Sequence, residues 1–153
     1  MRAEDYARAL FRFIDLEKAP VQIESILNAL AIEMIEDDFI GLDGIAFKRP
    51  EYKLIIVNRS LTPERKRFTI AHELGHIRMP HRGGYQLCYP GKNALMERSA
   101  DRFAAELLMP EPLVKKLWAR FQDNEEYRIS IIAEKLLVSK SAMAIRIRGL
   151  NLK

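Results

Sequence analysis

A chain of 153 residues that is 48% apolar and 30% charged has the length and balance of one globular domain with a real core. Its single cysteine, Cys88, excludes an internal disulfide framework and suits a reducing, cytoplasmic compartment. No run is long and apolar enough for a membrane span, and the charges scattered through "MRAEDYARALFRFIDLEKAP" exclude a secretory leader there.

In chain order, Glu4 to Leu16 have the spacing of an amphipathic helix, and Pro20, well placed at a helix start, opens a second helix to about Leu30. The period then changes. "AIEMIEDD", "GIAFKR" and "YKLIIVNRS" are short β-type runs separated by "FIGLD" and "RPEY", which predicts a small three-stranded antiparallel sheet. Helices packed on such a sheet give an α+β fold. Either "GIAFKR" or "YKLIIVNRS" could offer an open edge to an extended peptide, or be paired on both sides.

All three histidines follow within ten positions, in "FTIAHELGHIRMPH". His72 and His76 are four apart, so on a helix they lie one above the other and two imidazoles can reach one point. That arrangement is a metal pincer. Glu73 lies three positions before His76 and can lean toward the same point, where it can act as a general base on water. Thr69 is an acceptable N-cap for this helix, Ile70, Leu74 and Ile77 form its apolar stripe, and Pro80 closes it.

A hydrolytic zinc site wants three protein ligands and one open position. His81 sits five positions after His76 with no glycine between, whereas the extended histidine pattern needs six and a glycine, so its spacing argues against it as the third ligand. The better candidate lies in "ALMERSADRFAAELLMP". Ala100, Phe103, Ala104, Leu107 and Leu108 give that segment helical spacing, and Pro110 ends it. Glu97 and Asp101 stand four apart on one side: Glu97 as the ligand, Asp101 as the carboxylate that holds the far nitrogen of a ligating histidine. Between the two helices, "GGYQLCYPGKN" forms a loop in which Tyr85 and Tyr89, with His81 just before it, are candidate hydrogen-bond donors to a transition state.

"RFTIAHELGH" followed by "ERSADRFAAELLMP" resembles the ImmA/IrrE family of zinc metallopeptidases, and the likeness runs through nearly the whole chain, from the Pro20 helix to a C-terminal helical pair. The resemblance implies a gluzincin-like site, with His72, His76 and Glu97 on the metal and Glu73 as general base and acid. It also implies a substrate, a helix-turn-helix repressor of the Xre type, and a regulatory role in a phage, a mobile element or a stress response. Asp101 departs from the Asn or other polar residue often found at its position in the family. Zinc is the expected metal, while Mn²⁺ and Fe²⁺ suit the same nitrogen and oxygen donors.

The last segment, "RISIIAEKLLVSKSAMAIRIRGLNLK", has a helix-turn-helix outline: Ile131, Ile132, Leu136 and Leu137 define one helix, "VS" breaks it, and Ala142 and Ile145 belong to another. From Ser130 to Lys153, Lys135, Lys140, Arg146, Arg148 and Lys153 stand against a single acid, Glu134, a net of +4 that equals the formal charge of the whole chain. Basic residues on such an element are the electrostatic footprint of DNA binding. The expected organisation is thus one metallopeptidase domain over residues 1–153, with 129–153 as a helix-turn-helix-like subregion. The alternative is a non-catalytic, metal-containing regulator that binds DNA or protein. A structural metal site has no need of Glu73, which is the feature that separates the two.

Overall fold

The computed structural model describes residues 1–80, 86–88 and 94–153. Helix α1, Ala3–Arg8, tightens into a 3-10 turn, Ala9–Phe13, and ends where Ile14 becomes extended, so the first helical segment is shorter than its spacing suggested. Ala3, Ala7 and Leu10 form its buried stripe. Helix α2, Ile23–Ala29, starts three residues after Pro20 and buries Ile23, Ile26 and Leu27.

The three expected strands are β1, Glu33–Asp37, β2, Gly44–Arg49, and β3, Tyr52–Asn58. A fourth, β4, Gln86–Cys88, joins them in the order β1-β3-β2-β4. β2 pairs with β3 and β4 in antiparallel fashion, but β1 runs parallel to β3, from Glu33 opposite Leu54 to Asp37 opposite Asn58. Among the described residues the sheet is therefore mixed and four-stranded, not antiparallel and three-stranded. The reason lies in residues 38–43. Instead of a tight hairpin they form an arch over the end of β3, which places β3 between β1 and β2. Asn58 holds the arch from beneath: its amide side chain donates to Phe39 O at 2.9 Å and Leu42 O at 3.0 Å, and its backbone N–H to Asp43 O at 2.8 Å. These bonds satisfy loop carbonyls that the sheet cannot reach. Gly41, at φ 85°, turns the arch in a region that side chains disfavour.

Helix α3, Pro63–Arg78, begins well before the expected cap. Thr62 is the N-cap, its Oγ1 accepting from Arg65 N at 3.3 Å with Pro63 in the first turn, and Thr69 is a buried interior residue. "LTPER" carries that signal in full; its threonine lies almost three turns upstream of His72. Ile70, Leu74 and Ile77 pack into the core as their spacing requires.

Helix α4, Ala94–Leu108, buries Ala100, Phe103, Ala104, Leu107 and Leu108, each with no exposed surface. Helix α5, Glu111–Arg120, is an element the strand and helix pattern above did not include; the proline pair Pro110 and Pro112 starts it and Leu113, Val114 and Leu117 anchor it. The C-terminal pair is α6, Arg128–Leu136, and α7, Lys140–Gly149. Leu137 ends α6 in the left-handed region at φ 53°, and Ser139 caps α7 by accepting from Ala142 N at 3.0 Å. Among the described residues no helix is long and apolar enough to cross a membrane.

Candidate metal centre

α3 and α4 meet at a glycine. A Cβ on Gly75 would come within 2.9 Å of the Phe103 ring, so its absence lets the two helices approach closely between His72 and His76. A second glycine does the same for the sheet: a Cβ on Gly44, at the start of β2, would lie 2.5 Å from Thr69 Cγ2 and 3.3 Å from Glu73 Cγ. The site is therefore clasped by α4 on one side and β2 on the other. Neither glycine stood out in the sequence, although one inside a helix between two histidines was a readable signal of close packing.

The pincer converges. His72 Nε2 and His76 Nε2 are 3.2 Å apart. Glu97, in the first turn of α4, brings Oε2 to 3.0 Å from His72 Nε2 and Oε1 to 2.9 Å from His76 Nε2. These three residues offer ligand atoms that all lie within 4.8 Å of one another. Imidazole nitrogens and a carboxylate facing one point at that spacing would repel unless a proton or a cation lay among them. Their donor set fits a divalent ion such as zinc.

Asp101, one turn beyond Glu97, puts Oδ1 2.8 Å from His72 Nδ1. A proton held between those atoms fixes the tautomer that leaves the Nε2 lone pair facing the shared point. Burial pushes the His72 pKa down, but the Asp101 contact and the charges of Glu73, Glu97 and Asp101 outweigh it, and the net direction is upward.

Glu73 is 2% exposed, and among the described residues its Oε2 has no hydrogen-bond partner. Burial raises its pKa to about 7; the opposing pull of His72 is the next contribution, and the nearby Glu97 charge adds to the rise. A carboxyl with that pKa can both take and release a proton near neutral pH. His81, Tyr85 and Tyr89 lie outside the described residues.

A cleft of about 920 Å³ opens from His72 and Glu73. Its floor is the exposed side of α3, and its far wall is the turn between α6 and α7. The basic tail thus borders the site, a placement that sequence spacing could not reveal.

The model of the IrrE N-terminal-like domain, a peptidase family, matches residues 38–148, well over half of the chain. The chain belongs to that family. The matched span of this IrrE N-terminal-like chain includes both helices of the centre, α6, and α7 up to Arg148. It is also similar to the radiation response metalloprotease IrrE of Deinococcus radiodurans, 36% identical over 80 residues, covering 47% of this chain and 24% of that protein. With the radiation response metalloprotease IrrE of Deinococcus deserti it is 34% identical over 100 residues, 53% of this chain and 35% of that one. The chain therefore spans no more than 35% of either curated relative. Membership in a metallopeptidase family implies a divalent metal, which the His72, His76 and Glu97 donors fit.

Proposed function

We propose that this chain is a zinc-dependent endopeptidase in which His72, His76 and Glu97 hold the metal, Glu73 carries the proton and Asp101 orients His72. The observation that carries the reading is the convergence of those three ligands beside a buried carboxylate with one oxygen unpartnered among the described residues, at the head of an open cleft. When bound, the divalent ion supplies Lewis acidity toward water and a peptide carbonyl. The protein's own part is proton transfer. Glu73 Oε2 takes a proton from the attacking water, holds it while the tetrahedral centre forms and gives it to the leaving amine nitrogen. Burial serves both halves of that task, since a carboxylate in water would take the proton too weakly.

The substrate is a protein, and we assign it to the helix-turn-helix repressors on the strength of the family resemblance in "RFTIAHELGH" and "ERSADRFAAELLMP". Cleavage of such a repressor in the cytoplasm is a regulatory act, in keeping with the radiation response in the names of the two relatives. Elemental analysis tests the centre. About one zinc per chain is expected in the wild type and in His81→Ala, and loss of it in Glu97→Ala; equal occupancy in all three would sink the ligand assignment. Glu73→Gln should keep its metal and lose turnover on a repressor substrate, so undiminished cleavage would remove Glu73 as the base.

A further inference from the structure

We propose that the α6–α7 turn is a specificity wall that receives a large apolar side chain of an extended peptide, about two residues from the bond to be cut. That the occupant is a peptide rests on the endopeptidase reading; the apolar preference rests on the wall itself. Along α3, Thr62, Arg65, Phe68 and His72 line the cleft at helical spacing. This stripe makes the cleft a channel parallel to the helix that ends at the metal centre. From Thr62 to Glu73 the helix rises ~16 Å, the length of about five residues of extended chain. Phe68 is one turn before His72, or ~6 Å, which is about two residues of peptide.

From the α6–α7 turn the cleft is lined by the apolar Leu137, Val138, Ala142 and Ile145, which flank the polar Ser139, Lys140 and Ser141 along the chain. α7 turns Met143 and Ile147 into the core, while Ile145 keeps 65% of its surface exposed and faces the cleft. An isoleucine so placed adds little to folding; together with Phe68 it gives the channel an apolar side at a defined distance from the reacting point. The wall is also held in register with the centre. Arg146 Nη2 lies 2.6 Å from Glu106 Oε2, and its Nε donates to Met109 O at 2.9 Å, just past the end of α4. Glu106 is 2% exposed and takes a second guanidinium from Arg8 at 2.9 Å. The helix that brings Glu97 to the metal thus also anchors α7, and the channel has a fixed width.

The test uses a pool of decapeptides with randomised positions, read in two ways. Zinc-loaded Glu73→Gln, immobilised, captures binders, and zinc-loaded wild type cuts the same pool, with cut positions read by mass spectrometry. The expected result is enrichment of Leu, Ile, Met or Phe over Ser and Asp by about tenfold at one position, two residues from the cut. Ile145→Asp, placed in both backgrounds, should erase that enrichment. Ile40→Asp, at a fully exposed isoleucine outside the cleft, should preserve it, and thermal unfolding of each variant guards against loss of the fold. A flat preference at every position, or one that survives Ile145→Asp in a folded protein, overturns the proposal. Capture with the apolar preference but no cutting keeps the wall and sinks the endopeptidase reading; neither capture nor cutting overturns both.

Discussion

A base held ready in a buried site should destabilise the fold that holds it, and Glu73 lets that cost be measured. Its carboxyl moves from 4.5 in the unfolded chain to about 7 in the folded one. One pKa unit corresponds to about 1.4 kcal/mol, so keeping Glu73 ionised in the metal-free fold costs on the order of 3 kcal/mol. Below pH 4.5 the group is protonated in both states and costs nothing. Between pH 4.5 and 7 the folded state binds a proton that the unfolded state has released, so stability falls as pH rises, and above 7 the full penalty applies. Glu73→Gln keeps the shape and removes the titration. In EDTA-treated protein, urea unfolding followed by circular dichroism should therefore show a gap, variant minus wild type, that widens by up to about 3 kcal/mol from pH 4 to pH 8. Restoring zinc favours the carboxylate and should narrow the gap. A gap of the same size at every pH would mean that Glu73 ionises as it does in water, and the argument from burial to proton transfer would fail.

Gly75→Ala puts a methyl group within 2.9 Å of Phe103, so unfolding free energy should drop by about 1–3 kcal/mol and zinc content should fall as α4 is pushed from α3. Asp101→Ala leaves the three ligands in place but frees His72 Nδ1, and zinc competition titration should show affinity weaker by about 10–100-fold. Glu106→Gln removes the buried carboxylate that Arg8 and Arg146 share, leaving Arg8 its longer contact with Asp5, and should cost about 3 kcal/mol in chemical unfolding, more than removal of the exposed Arg59–Asp38 pair, at about 0–1 kcal/mol. If the chain binds duplex DNA, the four tail cations other than Arg146 limit the slope of log affinity against log salt to no steeper than about −4; a much steeper slope measured by anisotropy would point to a nucleic-acid surface elsewhere.

What the sequence made legible was local chemistry. Four-residue spacing on one helix sufficed to place His72 beside His76, because helical geometry leaves no other outcome. The Glu97 and Asp101 pair was readable for the same reason, once a second helix was assumed to return to the first. Features that depend on what passes behind an element were not readable. Nothing in "AIEMIEDD" specifies a parallel partner; that follows from the Asn58-supported arch, which is a contact between segments nineteen and sixteen residues apart. Gly44 and Gly75 carry no side-chain chemistry, and only the neighbour each would strike gives it meaning. Thr69 is of a capping residue type but lies inside α3, while Thr62 is the cap because its side chain accepts from Arg65 N.

The tail shows the same limit in terms of charge. Counting residues from Ser130 to Lys153 assigns the whole net charge of the chain to a helix-turn-helix outline. In the fold, Arg146 is spent on Glu106 and Met109 O, and Lys135 lies over the Phe121 ring at 5.5 Å. A DNA-reading helix presents the residues near its N-terminus to base edges. On α7 those residues include Ser141 and Ala142, which together with Ile145 line the cleft opposite α3. A helix-turn-helix shape here brings a short, capped corner against the cleft that opens from His72 and Glu73, and the packing that buries Met143 and Ile147 is what aims Ile145 into it. The outline read from sequence is the same in either use; it is the position of α3 across the cleft that favours peptide over DNA as the occupant of this face.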